Sequence, residues 1–277
     1  MKKKLLFIDI DGTFFEPHHG GVIESGVKAV DLAKKNGAEI YLCTGRSLAE
    51  AKIFLNYDSI DGFVFGAGAL VYHKGKRIYE KALSNEVVDK VINLANRFNC
   101  GYCVEAYAGA YCDDFAYQVL TEYVAAGLDE ERAAIALSDN CFYRLDQYHH
   151  LDPVCKFNFY FDDYSVREKI EAELPDNLET TIAYHNEKTG VYGLEITDKN
   201  INKASGIEKI LALKDGYTFE DVYAFGDSNN DISMVEVAKV GVAMGNASDG
   251  LKARADYITD RIENDGLYKA FKHLELI

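Results

Sequence analysis

Two aspartates one residue apart, Asp9 and Asp11, close the apolar run Leu5-Leu6-Phe7-Ile8 and lead into Gly12-Thr13. An ionised carboxylate taken out of water without a partner is costly or takes up a proton, so a run suited to an interior carries two acids only if something compensates them. A metal ion, a cationic side chain or a strand end that opens on solvent would serve. Three more groups of this kind follow: Thr44-Gly45-Arg46-Ser47 after the run 39–43, Lys203 at the start of a helical stretch, and Gly226-Asp227-Ser228-Asn229-Asn230-Asp231 after the run 221–225. Acids, one lysine, one arginine and one threonine at such positions suit the chemistry of an anion and a hard cation. Mg²⁺ takes oxygen ligands, usually one or two carboxylates with waters and substrate phosphate, and Asp9 with Asp227 can supply the carboxylates. Thr44, beside the free N–H groups of a strand-to-helix junction, and Lys203 can hold phosphoryl oxygens. Gly12 lets the chain turn, so Asp9 and Asp11 can occupy different environments, one as nucleophile and one as proton carrier.

These residues need a scaffold that gathers strand ends. From 4 to about 80 the pattern alternates: strand 4–10, helix 27–36 stopped by Gly37, strand 39–43, helix 47–55, strand 63–65. Short apolar runs between helices of about ten residues argue for βαβ units and a parallel sheet. The last third repeats the grammar, with helix 203–214, strand 221–225, helix 231–238, apolar runs 241–244 and 256–259, and a final helix 267–274. The middle differs. It is rich in Tyr, Phe and Cys, contains helical stretches 85–98 and 166–174, and its run 154–161 suits antiparallel strands with one covered face. The expected fold is therefore α/β, a doubly wound Rossmann-like parallel-sheet core of residues 1–82 and 197–277, with an α+β domain, 83–196, inserted in it. In such a sheet ligands bind at the carboxyl ends of the strands, where three of the four groups lie.

Composition bounds the partners. The chain has 277 residues, 48% of them hydrophobic and 27% charged, with only three prolines, which is the profile of a folded protein of one large or two modest domains. A formal charge of −15, from 45 acids against 30 bases, argues against nucleic acid or an anionic membrane surface as partner. Asp9 and Asp11 interrupt the apolar run behind Met1-Lys2-Lys3-Lys4 too early for a signal peptide, and no stretch approaches the ~20 apolar residues of a membrane span, so a cytoplasmic location is expected. No protein partner can be inferred. Cys100 and Cys103 have CxxC spacing, but no second pair completes a zinc site, and all six cysteines are expected to be reduced.

The four groups, in this order and at these separations, resemble those of the haloacid dehalogenase-like (HAD) phosphatases, and among them the Cof-type hydrolases with a large α+β, C2-type cap. The resemblance extends to Ile232-Ser233-Met234 and Gly241-Val242-Ala243-Met244-Gly245-Asn246-Ala247; over the cap it concerns only position, size and character. It implies a Mg²⁺-dependent phosphatase that hydrolyses phosphomonoesters of small metabolites, a sugar phosphate or a phosphorylated cofactor, through an aspartyl-phosphate. Asp9 would attack phosphorus, and Asp11 would protonate the leaving oxygen and later activate water. Thr44 and Lys203 would hold phosphoryl oxygens, and the metal would bind the Asp9 carboxylate, the Asp11 carbonyl and Asp227. Asp231 would orient metal waters or Lys203, while Gly45, Arg46 and Asn230 would lie near substrate. Two departures stand out: Ala204 follows the lysine where the family usually has Gly, and Ala67-Gly68-Ala69 replaces the usual Asn-Gly-Ala.

Plainer readings compete at several positions. Asp-x-Asp-Gly also opens an EF-hand loop, but loop positions six and twelve would be Phe14 and Gly20 instead of Gly and Glu. Asp227 and Asp231 can cap a helix. Lys199 rivals Lys203, Arg46 can belong to a structural ion pair, His18 and His19 suit a surface loop, and Lys156 suits a solvated strand face as well as an anionic ligand. At the level of function, a sugar-phosphate mutase using the same aspartyl-phosphate and a catalytically silent phosphate-binding module are the alternatives.

Overall fold

The computed structural model describes residues 3–16, 21–124 and 129–277, and these form two bodies. His18 and His19 lie outside the described residues. The first body comprises Met1–Gly45, Phe54–Glu80 and Ile201–Ile277, and the second Arg46–Ile53 and Lys81–Asn200.

The first body is built on one eight-stranded sheet. Its order is Tyr257–Ile258, Val240–Ala243, Val222–Gly226, Leu5–Ile8, Glu39–Cys43, Gly62–Phe65, Leu70–His73 and Lys76–Glu80. The first six strands run parallel, Leu70–His73 runs antiparallel to them, and Lys76–Glu80 pairs antiparallel with it. All four residues of Leu5–Ile8 are fully buried, as expected of a central strand covered on both faces. Leu5 and Phe7 pack with Ile207, Ile210, Met234 and Val235 from the helices Lys203–Leu211 and Ile232–Val237. The helices Glu24–Lys35 and Gly266–His273 carry buried Ala29, Val30, Leu267 and Phe271, the last with its ring 4.8 Å from that of Phe225 and tilted against it. The α/β doubly wound expectation holds.

Two local expectations fail. The first strand ends at Ile8, not 10, because Phe14 and Phe15 donate their amides to the Ile10 carbonyl (2.9 and 2.8 Å) and turn the chain out of the ladder. Residues 47–55 do not form one α-helix: the chain turns and only Lys52–Asn56 is a 3₁₀ helix. The Ala49 amide is taken by the Tyr107 carbonyl at 3.1 Å, so a tertiary partner replaces a helical one.

The second body has a six-stranded sheet in the order Phe142–Arg144, Gly109–Cys112, Gly101–Ala106, Val154–Phe161, Tyr192–Asp198 and Leu178–His185. All neighbours are antiparallel except the first pair. One face is closed by Val88, Val91 and Leu94 of helix Asn85–Arg97 and by Ile170 of helix Ser165–Glu173. On the other, Ala116, Val119 and Leu120 of helix Asp114–Val124 and Leu137 of helix Glu130–Asp139 pack against Cys103, Cys112 and Tyr160.

The cysteine expectation needs correcting here. Cys103 and Cys112 are directly opposite on neighbouring antiparallel strands, with Cα atoms 4.2 Å apart, and are joined in a disulfide. Pairing follows the strand register instead of the CxxC spacing, and Cys43, Cys100, Cys141 and Cys155 are free and buried. Lys156 also departs from expectation: its strand face is not solvated, and its ammonium lies among carboxylates.

Candidate active site

The register of the parallel sheet brings three chain segments together. Ile8 pairs with Phe225 on one side and Leu42 on the other, so the residues that follow, Asp9, Gly226-Asp227 and Cys43-Thr44, leave adjacent strands at their carboxyl ends. Asp9 is held by its amide on the Phe225 carbonyl (2.9 Å), and Thr44 by its amide on the Val64 carbonyl (2.8 Å). Both are buried. Asn202 caps the helix Lys203–Leu211 in a reciprocal pair with Ser205, which places Lys203 in the first turn, and the residue is 0% exposed. Its ammonium donates to Asp9 Oδ1 and Asp231 Oδ1, each at 2.5 Å. The rival Lys199 is exposed and belongs to the second body.

Asp231 is fully buried and uses both oxygens. Oδ1 accepts from Lys203, and Oδ2 accepts the amides of Asp227 and Ser228, both at 2.9 Å. The capping reading and the lysine-orienting reading of this residue are thus both met. Asp227 accepts from Thr13 Oγ at 3.4 Å, and its carbonyl takes the Ser248 amide at 2.8 Å. Gly12 adopts φ +79°, and a Cβ there would overlap the Asp227 carboxylate, so the turn after Asp11 and this acid fit only with glycine. Asn246 donates to the Gly12 carbonyl (2.8 Å) and accepts from the Ile262 amide (3.0 Å), tying the turn to the far side of the sheet. Thr13, Asn246 and Ser248 had been given no role from sequence, although Thr13 and Asn246 stand inside the family-like runs.

Carboxyl oxygens of Asp9, Asp227 and Asp231 lie within 4.8 Å of one another, a candidate metal-binding triad. One ammonium does not balance these acids. Burial, reinforced by Asp231, raises Asp9 well above the usual carboxylate range even against Lys203. Burial and Asp231 also push Asp227 up to about 7, again against Lys203, with Asp11 adding to the effect. An uncompensated buried carboxylate pair of this kind fits a divalent cation. Since Asp231 is already committed to Lys203 and two amides, Asp9 and Asp227 are the pair with capacity to bind one.

The remaining candidates are distributed as follows. Asp11 is partly exposed and close enough to raise both Asp9 and Asp227. Gly45 lies by Asn230, whose Nδ2 would be 3.5 Å from a Cβ added there, and Asn230 accepts from Ser228 Oγ at 2.8 Å. Arg46 opens the segment that belongs to the second body and donates to the Glu50 carbonyl at 3.2 Å. Ala204 is buried within its helix, so that departure is accommodated, whereas Ala67 sits at φ +53°, a left-handed position where the family's usual Asn would be less strained.

A family model for haloacid dehalogenase-like hydrolases matches residues 6–271, so the chain belongs to this family. It is 28% identical over 272 residues to the 5-amino-6-(5-phospho-D-ribitylamino)uracil phosphatase YcsE of Bacillus subtilis, covering 98% of this chain and 95% of the relative. It is 27% identical over 266 residues to phosphoglycolate phosphatase 1 of Saccharolobus solfataricus, covering 95% and 92%. Among solved structures, a phosphatase of the haloalkanoate superfamily from Bacteroides thetaiotaomicron matches with a TM-score of 0.79 and 26% identity over 99% and 96% of the two chains. Among the described residues no helix is long and apolar enough to cross a membrane.

Proposed function

We propose that the protein is a Mg²⁺-dependent phosphatase that hydrolyses phosphomonoesters of small metabolites through an aspartyl-phosphate, with residues 1–82 and 197–277 as catalytic core and 83–196 as the specificity-setting cap. The observation that carries this reading is the Lys203 ammonium held 2.5 Å from both Asp9 and Asp231 at the carboxyl ends of the central strands, with Asp227 alongside. Related phosphatases of similar length support it, and their named substrates, a ribityl phosphate and phosphoglycolate, are both small phosphate monoesters.

In this mechanism an Asp9 carboxylate oxygen attacks phosphorus, the bond from phosphorus to the ester oxygen breaks, and Asp11 gives that oxygen its proton. Water then attacks the aspartyl-phosphate while Asp11 takes its proton, which releases phosphate and restores Asp9. Thr44 and Lys203 hold the non-bridging oxygens, and Asp231 keeps Lys203 aimed and charged. Mg²⁺, bound by the Asp9 carboxylate, the Asp11 carbonyl and Asp227, would neutralise phosphoryl charge and lower both aspartates into their ionised range. Gly45 leaves room beside Asn230 for the phosphoryl group, and Arg46 contacts the substrate.

The test is phosphate release from a panel of sugar, sugar-alcohol, carboxylate and aryl phosphates, with and without Mg²⁺, by the protein and by Asp9→Asn. Mg²⁺-dependent release lost in the variant is expected. Release that persists in Asp9→Asn would overturn the nucleophile assignment, and no release from any ester would overturn the activity.

A further inference from the structure

The turn that carries Asp11 pivots on Gly12. This residue sits at φ +79°, and glycine has more backbone freedom than any other residue, so the peptide planes on either side of it are fixed by what they bond to. The plane before it holds the Asp11 carbonyl and the Gly12 amide, and that amide donates to the Phe15 carbonyl at 2.9 Å. The plane after it holds the Gly12 carbonyl and the Thr13 amide. This amide makes the longest of three bonds to the Ile10 carbonyl, at 3.3 Å against 2.9 and 2.8 Å for Phe14 and Phe15. The firmer hold on the plane is at its other end, where Asn246 Nδ2 donates to the Gly12 carbonyl at 2.8 Å.

Asn246 is itself fixed. Its Oδ1 accepts from the Ile262 amide at 3.0 Å, so both ends of the carboxamide are engaged, and a flip would set donor against donor and acceptor against acceptor. The residue stands in the loop 244–248 at the carboxyl end of strand Val240–Ala243, and the same loop grips the turn of Asp227. The Met244 amide donates to the Gly226 carbonyl (2.9 Å), the Ser248 amide to the Asp227 carbonyl (2.8 Å) and Ser248 Oγ to Asn229 Oδ1 (2.7 Å). Gly245 lets the loop lie close on 260–261: its amide donates to the Asp260 carbonyl at 3.0 Å, and a Cβ there would come within 2.5 Å of the Arg261 nitrogen. One short loop therefore holds both acidic turns, that of Asp227 largely through its backbone and that of Asp11 through the Asn246 carboxamide.

We infer that Asn246 is a positioning residue for the proposed reaction. By fixing the Gly12 carbonyl it holds the Asp11–Gly12 turn against Asp227, and so keeps the Asp11 carbonyl available to the cation and the Asp11 carboxyl available to the leaving oxygen. It acts through Gly12 and not on the substrate. The carboxyl half of this role rests on the phosphatase reading, and the carbonyl half on the metal site alone.

Two variants of the full chain test it. Asn246→Ala removes both bonds. Asn246→Asp keeps an acceptor for the Ile262 amide, offers no donor to Gly12, and adds a negative charge that by itself would attract a cation. Each is compared with the unsubstituted chain by thermal melting, by calorimetric titration with Mg²⁺, and by kcat/KM, which reports the steps up to loss of the leaving group. The esters are p-nitrophenyl phosphate and the sugar or sugar-alcohol phosphate of the panel that the unsubstituted chain cleaves fastest. In both variants kcat/KM for the alkyl ester should fall about tenfold or more, as expected of a displaced proton donor, and that for the aryl ester less than about threefold. Mg²⁺ should bind about threefold or more weakly even to Asn246→Asp, against the direction of its added charge. A lower melting temperature with equal losses for the two esters and unchanged Mg²⁺ affinity is what a merely structural residue would give, and overturns the inference. So does an Asn246→Asp variant that binds Mg²⁺ more tightly at an unchanged rate. A leaving-group effect without weaker Mg²⁺ binding supports the carboxyl half and overturns the carbonyl half, and the converse result does the reverse. Failure of the phosphatase reading is seen separately, as absence of phosphate release from the whole panel by the unsubstituted chain, and the Mg²⁺ titration then still decides the carbonyl half.

Discussion

Replacing Lys203 by Met keeps the length of the side chain and removes its charge. Lys203 is 0% exposed, and its ammonium is the shared partner of Asp9 and Asp231, so the substitution strands two carboxylates in a desolvated pocket. Removing one partner from a buried ionic cluster costs about 3–5 kcal/mol. At about 2–4 °C per kcal/mol for a chain of this size, melting should fall by about 6–20 °C at pH 8 without metal. In the intact protein burial opposes the Lys203 charge, but Asp231 and Asp9 outweigh it and raise the ammonium above its ordinary range. Its contribution is therefore complete below the unfolded value of a lysine and lost only at higher pH still, so the deficit of the variant is flat across neutral pH. Acid should shrink it, because Asp9 without its cation takes up a proton readily, and saturating Mg²⁺ should shrink it at pH 8. Calorimetric or circular-dichroism melting of both proteins at pH 5 and pH 8, with and without Mg²⁺, reads all of this. A variant as stable as the parent at pH 8, or a deficit that neither acid nor Mg²⁺ reduces, would refute the account of Lys203 as the counter-charge of the site.

Five further outcomes are expected. Metal binding should release protons: Asp227 is pushed up to about 7 by burial and Asp231, so Mg²⁺ affinity measured by titration should rise with pH through that value, and a flat profile from pH 5.5 to 8 would contradict the pairing of Asp9 with Asp227. Over the same interval the metal-free protein should lose stability as pH rises, since a carboxyl whose folded value is raised favours the fold only while protonated. Asp11→Asn should slow steady-state hydrolysis by 10²-fold or more for alkyl phosphates and by much less for aryl phosphates, whose leaving groups need no proton; equal losses would remove Asp11 from the acid role. Gly12→Ala should weaken Mg²⁺ binding at least tenfold, because its Cβ displaces Asp227, whereas Ala67→Gly should raise unfolding free energy by about 0.5–1 kcal/mol by relieving a left-handed alanine.

Sequence by itself determined the alternation of apolar runs and helices, because burial of a parallel sheet on both faces demands continuous apolar strands such as Leu5–Ile8 and leaves its signature in local spacing. It also marked Asp9, Thr44, Lys203, Asp227 and Asp231, since acids and a lysine at the borders of buried elements are costly unless gathered. What it could not decide depends on register and on groups distant along the chain. The commitment of Asp231 to two amides and the Asn246 link to Gly12 follow from which strand ends become neighbours. The pairing of Cys103 with Cys112 needs the antiparallel register of two strands, and the irregular path of 47–55 needs the Tyr107 carbonyl that captures Ala49. Lys156 shows the same limit: a lysine in an alternating strand reads as solvated until Glu105 and Glu195 from flanking strands are placed beside it, and only tertiary structure does that.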